Sequence, residues 1–276
     1  MDLVQKVLIT LLVVLIATLI LFYVQTNGIA IKSSGDSSHR QPSFLILGTN
    51  GAGKTAFYNR LMSQDNQPKF EQTVSSIEPT FGHINLPLAK HSIAKTYQII
   101  DYPGHLKYTQ LLNKLILEDI TLQKIKGIVY VIDSSAAATN GPRLLEVAHG
   151  LFLLLSQTEK LNNGIDILFA VNKQDLFDSR PVFKVKELLQ QEVDKLVKNE
   201  LMQKSLAGHE ASGIDEEDDD TNRESLKEFW SSVVGRNGRF LFDMLEGNMD
   251  FIGGSVLKNK TEDWENWFDE KVMNQL

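Results

Sequence analysis

At 276 residues with 42% hydrophobic content, the chain can bury one ordinary domain core with segments left over. A formal net charge of −7 argues against a sequence-independent nucleic-acid binder, which is normally basic, so no direct nucleic-acid binding is expected. The chain has no cysteine, which rules out disulfides, thiolate metal sites and cysteine nucleophiles.

Residues 1–6 form a short tail. Residues 7–24 carry no charge and are apolar throughout apart from Thr10 and Thr18. A helix of that length covers roughly 27 Å, close to the hydrocarbon thickness of an endoplasmic reticulum bilayer. Tyr23 lies where an interfacial aromatic anchor belongs. A retained transmembrane helix is expected rather than a cleaved signal peptide, because Tyr23-Val24-Gln25 lacks the small residues of a cleavage site. Lys32 and Arg40 after the segment, against Lys6 before it, favour a cytosolic C-terminal flank. Residues 25–41, rich in Ser, Gly and charge, read as a linker.

Residues 42–276 read as one folded domain. Short apolar runs at 44–47, 128–132 and 167–171 predict buried parallel strands. Residues 83–88 and 96–100 predict a strand pair with its turn near 87–92, and 249–252 a sixth strand. Helices are expected over 54–63, 108–124, 141–158, 184–204 and 262–273, with Leu188, Leu189, Val193, Leu196 and Val197 on the apolar face of the fourth. This alternation predicts an α/β fold of the P-loop type, a mostly parallel six-stranded sheet with helices on both faces and ligands beyond the carboxyl ends of its strands. The acidic run at 215–220 lies in a stretch, 207–224, expected to be a disordered insertion.

Gly48-Thr49-Asn50-Gly51-Ala52-Gly53-Lys54-Thr55 completes the pattern G-x-x-x-x-G-K-[ST] between the first strand and the first helix. Gly48, Gly51 and Gly53 let the backbone wrap a phosphate and turn N–H groups inward, with Asn50 and Ala52 between them. The helix that follows presents its N-terminus, Ala56 included, to the same anion. Lys54 is expected at the β- and γ-phosphates, and the Thr55 hydroxyl on magnesium. The motif specifies a nucleoside triphosphate but not its base.

Asn172-Lys173-Gln174-Asp175 follows the fifth strand and matches the N-K-x-D signature of guanine-nucleotide-binding proteins. A carboxylate at Asp175 can accept from the N1–H and the exocyclic amine of guanine, an edge that adenine lacks. Asn172 is expected to hold the loop and touch the ring, and the Lys173 stem to cover its face. Asp101-Tyr102-Pro103-Gly104 matches D-x-x-G; Asp101 is expected to hold magnesium through a water, and the Gly104 N–H to meet the γ-phosphate. Thr80, just ahead of the second strand, is the candidate second magnesium hydroxyl, with Thr73 its rival. Ser255 and Val256 are candidate backbone donors to guanine O6, although the segment departs from the usual S-A-[KL]. His105, next to Gly104, can hold an attacking water, since a histidine both donates and accepts, and is the candidate catalytic residue.

In this order the motifs resemble the small GTPase superfamily, and Pro79-Thr80-Phe81-Gly82 resembles its Arf and Sar branch. Together with the apolar N-terminal segment and linker, the chain resembles the beta-subunit family of the signal recognition particle receptor. That resemblance implies GTP and Mg2+ as ligands and a single-pass location in the endoplasmic reticulum membrane with the domain in the cytosol. It implies that the N-terminal domain of the receptor's alpha subunit is held in the GTP state for cotranslational targeting, with ribosome and translocon as further candidate partners. Intrinsic GTP hydrolysis is expected to be slow, since water positioning without a partner-supplied group gives slow turnover. The alternative is a cycling Arf- or Sar-like GTPase of vesicle trafficking, which needs reversible attachment rather than a spanning helix. A P-loop ATPase or kinase comes third, and Asp175 speaks against it.

Overall fold

Residues 41–63, 73–74, 76–89, 94–105, 108–120, 122–159, 161, 163–202, 217–235 and 238–273 are described in the structure, a computed structural model of the chain. All of them belong to the compact unit His39–Leu276. The expected membrane span at 7–24 lies outside them; among the described residues no helix is long and apolar enough to cross a membrane.

Among the described residues, six strands form one sheet: β1 (Ser43–Gly48), β2 (Thr80–Leu86), β3 (Lys95–Asp101), β4 (Ile125–Asp133), β5 (Ile167–Asn172) and β6 (Met249–Gly253). Their order is β2-β3-β1-β4-β5-β6, with β2 antiparallel to β3 and every other pair parallel. The α-helices among the described residues are α1 (Lys54–Met62), α2 (Thr109–Lys114), α3 (Gly141–Thr158), α4 (Val182–Met202), α5 (Glu217–Val234) and α6 (Glu262–Met273).

Side chains alternate across each strand, so β1 feeds two cores. Leu45 and Leu47 face α3, α4 and α5, while Phe44 and Ile46 face α1 and α6. On the first face α4 buries Val185, Leu189, Val193 and Val197 at four-residue spacing, the stripe of an amphipathic helix. On the second face Phe44 meets Phe268 edge-on at 4.9 Å, and Phe57 meets Trp264 at 5.2 Å. Burial on both faces is why β1, β4 and β5 read as unbroken apolar runs.

Two elements differ from expectation. The helix expected over 108–124 is broken: α2 passes into a π-helical turn at Leu115–Asp119 and a 3-10 turn at Leu122–Lys124. The Ile120 N–H reaches back to Leu115 O at 2.9 Å, a five-residue closure that accompanies the burial of Leu115, Ile116 and Ile120. The stretch expected to be disordered through 224 is helical from Glu217; its part at 207–216 lies outside the described residues.

Further along, Trp230 docks the helix. It is fully buried, stacks on Phe152 of α3 with centroids 4.8 Å apart, and meets Phe240 edge-on at 5.8 Å. Trp230→Ala is therefore expected to destabilise the protein by about 3–5 kcal/mol, read as a lower denaturation midpoint. A loss below about 1 kcal/mol, the range of surface substitutions, would show that α5 is not docked through this side chain.

Candidate functional site

The loop between β1 and α1 turns at the carboxyl edge of the sheet. Gly53 takes φ 104°, a conformation that side chains rarely adopt, and a Cβ there would stand 2.3 Å from Asn172 Nδ2. Lys54 opens α1, and its buried ammonium donates to Thr49 O at 2.9 Å, closing the loop on itself. At Gly104 the Asp-x-x-Gly turn comes so near that a Cβ would lie 2.3 Å from Lys54 Nζ.

Burial lowers the pKa of Lys54 from 10.5 to about 8, while the carboxylates of Asp101 and Glu146 pull it the other way. Between those two values the unfolded chain holds this proton and the folded chain releases it, so the contribution of Lys54 to the stability of the free protein becomes more favourable as pH rises from about 8 to 10.5. A phosphate anion at the loop favours the charged amine. Nucleotide binding is thus expected to take up protons near pH 8 and to weaken by about tenfold between pH 7 and 9. Calorimetry in buffers of different ionisation enthalpy reads this directly; binding without proton uptake would contradict it.

Thr55 Oγ1 donates to Asp101 Oδ2 at 2.6 Å. Ser76 Oγ lies 3.1 Å from the Thr55 hydroxyl and 3.4 Å from the same carboxylate oxygen. Asp101 Oδ1 is buried with no hydrogen-bond partner among the described residues. Burial raises the pKa of Asp101, opposed by the Thr55 bond, the Lys54 charge and the Ser76 bond. An unpartnered carboxylate oxygen beside two hydroxyls fits a hard cation held by oxygen, and Asp101 with Thr55 would hold magnesium.

Thr80 is the first residue of β2, exposed, and paired directly with Asp101 in the antiparallel ladder. The cleft over the phosphate loop is lined by Thr73 and Ser76, with Asn50, Gly51, Gly53, Lys54, Thr55 and Gly104. Ser76 lies in no motif, so neither spacing nor residue type marks it in the sequence.

Asn172 ends β5 and ties three loops together. Its Nδ2 donates to Ala52 O at 2.8 Å, and its Oδ1 accepts the Val256 N–H at 3.1 Å. Lys173, expected to cover the base with its stem, takes φ 64° and is held at its tip by Asp133, 2.7 Å away. Asp175 Oδ1 accepts the Ser255 hydroxyl at 2.5 Å. Asp175 and Ser255 line a cavity of about 530 Å³ together with Gln174, Asn259 and Lys260.

The expected O6 donors are engaged within the protein. The Ser255 N–H donates to Lys260 O at 3.1 Å, and the Val256 N–H to Asn172. The first of these bonds belongs to the tight antiparallel bridge between Ser255 and Lys260. His105 is exposed beyond Gly104, with its ring edge-on to Tyr108 at 6.3 Å; it lines a small cavity with Gly48, Thr49, Gly104 and Glu146.

A parallel sheet with one antiparallel edge strand, and motif loops gathered at its carboxyl ends, places the molecule in the small-GTPase class of P-loop proteins. Within that class, the family model described as signal recognition particle receptor beta subunit matches residues 39–249. The chain belongs to that family. It is similar to the beta subunit of the signal recognition particle receptor of Saccharomyces cerevisiae, with 32% identity over 233 residues, 84% of this chain and 85% of the yeast protein. Among solved structures, the mammalian SRP receptor matches with a TM-score of 0.60 and 21% identity over 83% of this chain and 99% of that chain. The SRb-GTP/SRX complex from Chaetomium thermophilum matches with a TM-score of 0.55 and 24% identity, over 83% of this chain and 98% of that one.

Proposed function

We propose that the chain is the GTP-binding beta subunit that holds an alpha subunit of the signal recognition particle receptor at the endoplasmic reticulum membrane. Residues 7–24 span the bilayer once, residues 25–41 link, and residues 42–276 form the cytosolic domain. The observation that carries the reading is the knot at Asn172, which joins the phosphate loop to the loops of Asp175 and Ser255. A site so joined grips the triphosphate and reads the base as one unit. The similarity to the yeast beta subunit and to a structure described as SRb-GTP with SRX supports the same reading.

In this reading the phosphate-loop amides and Lys54 hold the phosphates, Thr55 and Asp101 hold magnesium, and Asp175 accepts the donors of guanine. Magnesium, when bound, neutralises phosphate charge. His105, next to Gly104, orients a water, and turnover is slow without a group supplied by a partner. A cleft of about 550 Å³ between residues 77–81 and α2, with Ile77 and Leu111 exposed on its walls, adjoins Tyr102 and is the docking surface for the alpha subunit.

The test is to purify the full chain in mild detergent, identify its bound nucleotide, and capture the N-terminal domain of the alpha subunit with a GTP analogue or GDP. Retained GTP and GTP-dependent capture are expected. Equal capture with GDP overturns the reading, and rapid GTP turnover with GDP retained favours a cycling trafficking GTPase.

A further inference from the structure

The turn that seats Asp175 is itself bolted down from a distance. Residues 255–260 close on themselves: the Lys260 N–H donates to Ser255 O at 2.8 Å and the Asn259 N–H to Val256 O at 3.1 Å. The Lys258 N–H donates to Ser255 Oγ at 3.1 Å, and that same hydroxyl holds Asp175. Asn259 takes φ 54°, a left-handed conformation that asparagine tolerates better than most residues.

The Asn259 side chain reaches out of the turn, and its Oδ1 accepts the Nε–H of Arg60 at 2.5 Å. The Arg60 guanidinium also lies 3.8 Å from Glu265, in the first turn of α6. Thr261, between the turn and α6, donates its hydroxyl to the same Glu265 oxygen at 2.7 Å. Arg60 occupies the last turn of α1, the helix whose first residue is Lys54. One helix therefore touches the phosphate loop at its start and the base-reading turn near its end.

A basic residue in the last turn of a helix often does no more than complement the helix dipole. That role needs no partner on another loop. Here the side chain is mostly buried, about a fifth exposed, and joins α1 both to Asn259 in the turn and to Glu265 at the start of α6. We infer that Arg60, through Asn259, is a positioning residue for base recognition: it fixes the turn whose Ser255 hydroxyl aims Asp175. The inference rests on the proposed reading of Asp175. A loosened turn lets Asp175 drift, and guanosine loses more than inosine because its 2-amino group is a second donor to that carboxylate.

The test measures dissociation of GDP and of IDP from the full chain and from Arg60→Ala, Asn259→Ala and Asn259→Asp variants. Both alanine variants are expected to release GDP about tenfold faster and to lose about fivefold of the GDP-over-IDP preference. Asn259→Asp keeps the acceptor for Arg60 and is expected to recover most of the GDP-over-IDP preference that Asn259→Ala loses. Asn259 lies on a surface turn, so its alanine variant tests the idea even where Arg60→Ala fails to fold. A preference unchanged in the folded alanine variants overturns the inference alone, whatever happens to thermal stability. An unsubstituted chain that does not prefer GDP over IDP overturns both this inference and the reading of Asp175 beneath it.

Discussion

Asp175→Asn is expected to turn the site away from guanosine and towards xanthosine nucleotides. Guanine offers two donors, N1–H and the 2-amino group, which a carboxylate accepts together. Xanthine replaces the amine with a carbonyl. The Ser255 hydroxyl already donates to Asp175 Oδ1, and an asparagine oxygen in that place still accepts it. The new amide nitrogen then faces the base as a donor, matching xanthine and opposing guanine. GTP affinity should fall on the order of a thousandfold, in the range found where a site built for specific donors meets the wrong pattern. XTP affinity should rise in parallel. Competition binding against a fluorescent nucleotide reads both, and a variant that still prefers GTP would remove Asp175 from base recognition.

Gly53→Ala is expected to abolish nucleotide binding through a different route. At φ 104° an alanine is strained before it touches anything. Its Cβ would also stand 2.3 Å from Asn172 Nδ2, well inside contact distance. Asn172 must then swing away, and in doing so it releases both Ala52 O and the Val256 N–H. One methyl group thus unties the phosphate loop and the base-reading segment together. Binding should drop by more than about a thousandfold, as several interactions of 1–3 kcal/mol each are lost. Gly51→Ala is a useful contrast, because open space lies where its Cβ would go, although its φ of 73° still strains an alanine. Equal affinity for Gly53→Ala and the unsubstituted chain would refute the crowding argument.

Much of the architecture is legible in the residues because burial leaves a simple trace. The apolar runs of β1, β4 and β5 are visible because both faces of the sheet are covered. Helices α3 and α6 begin and end where their apolar periods do. The phosphate loop is readable because its chemistry requires glycine at fixed spacing. What escapes the reading depends on contacts far apart in sequence. Ser76 meets Thr55 and Asp101 only because an unremarkable loop folds over them. Arg60 and Asn259 are 199 positions apart, and nothing local pairs them. The pairing of Thr80 with Asp101 likewise joins residues from separate segments, and only the antiparallel ladder brings them opposite each other. Acidic composition suggested disorder through 224, but Trp230 further along gives the helix a hydrophobic mooring that a count of charges does not register.

Chain order sets a timetable for this molecule. The segments gripping phosphate leave the ribosome early, whereas β6, the Ser255 turn and α6 come after α4 and α5 have been made. Until they arrive, the open edge of β5 offers a row of unpaired backbone groups, and Phe44 and Phe57 lack the cover of Trp264 and Phe268. A nascent chain paused at that stage should be sticky and unable to tell guanine from other bases, a client for chaperones. In the reading proposed for Asp175 and Ser255, selectivity for the base is the last property the growing polypeptide acquires, and it arrives together with the closing of its aromatic core.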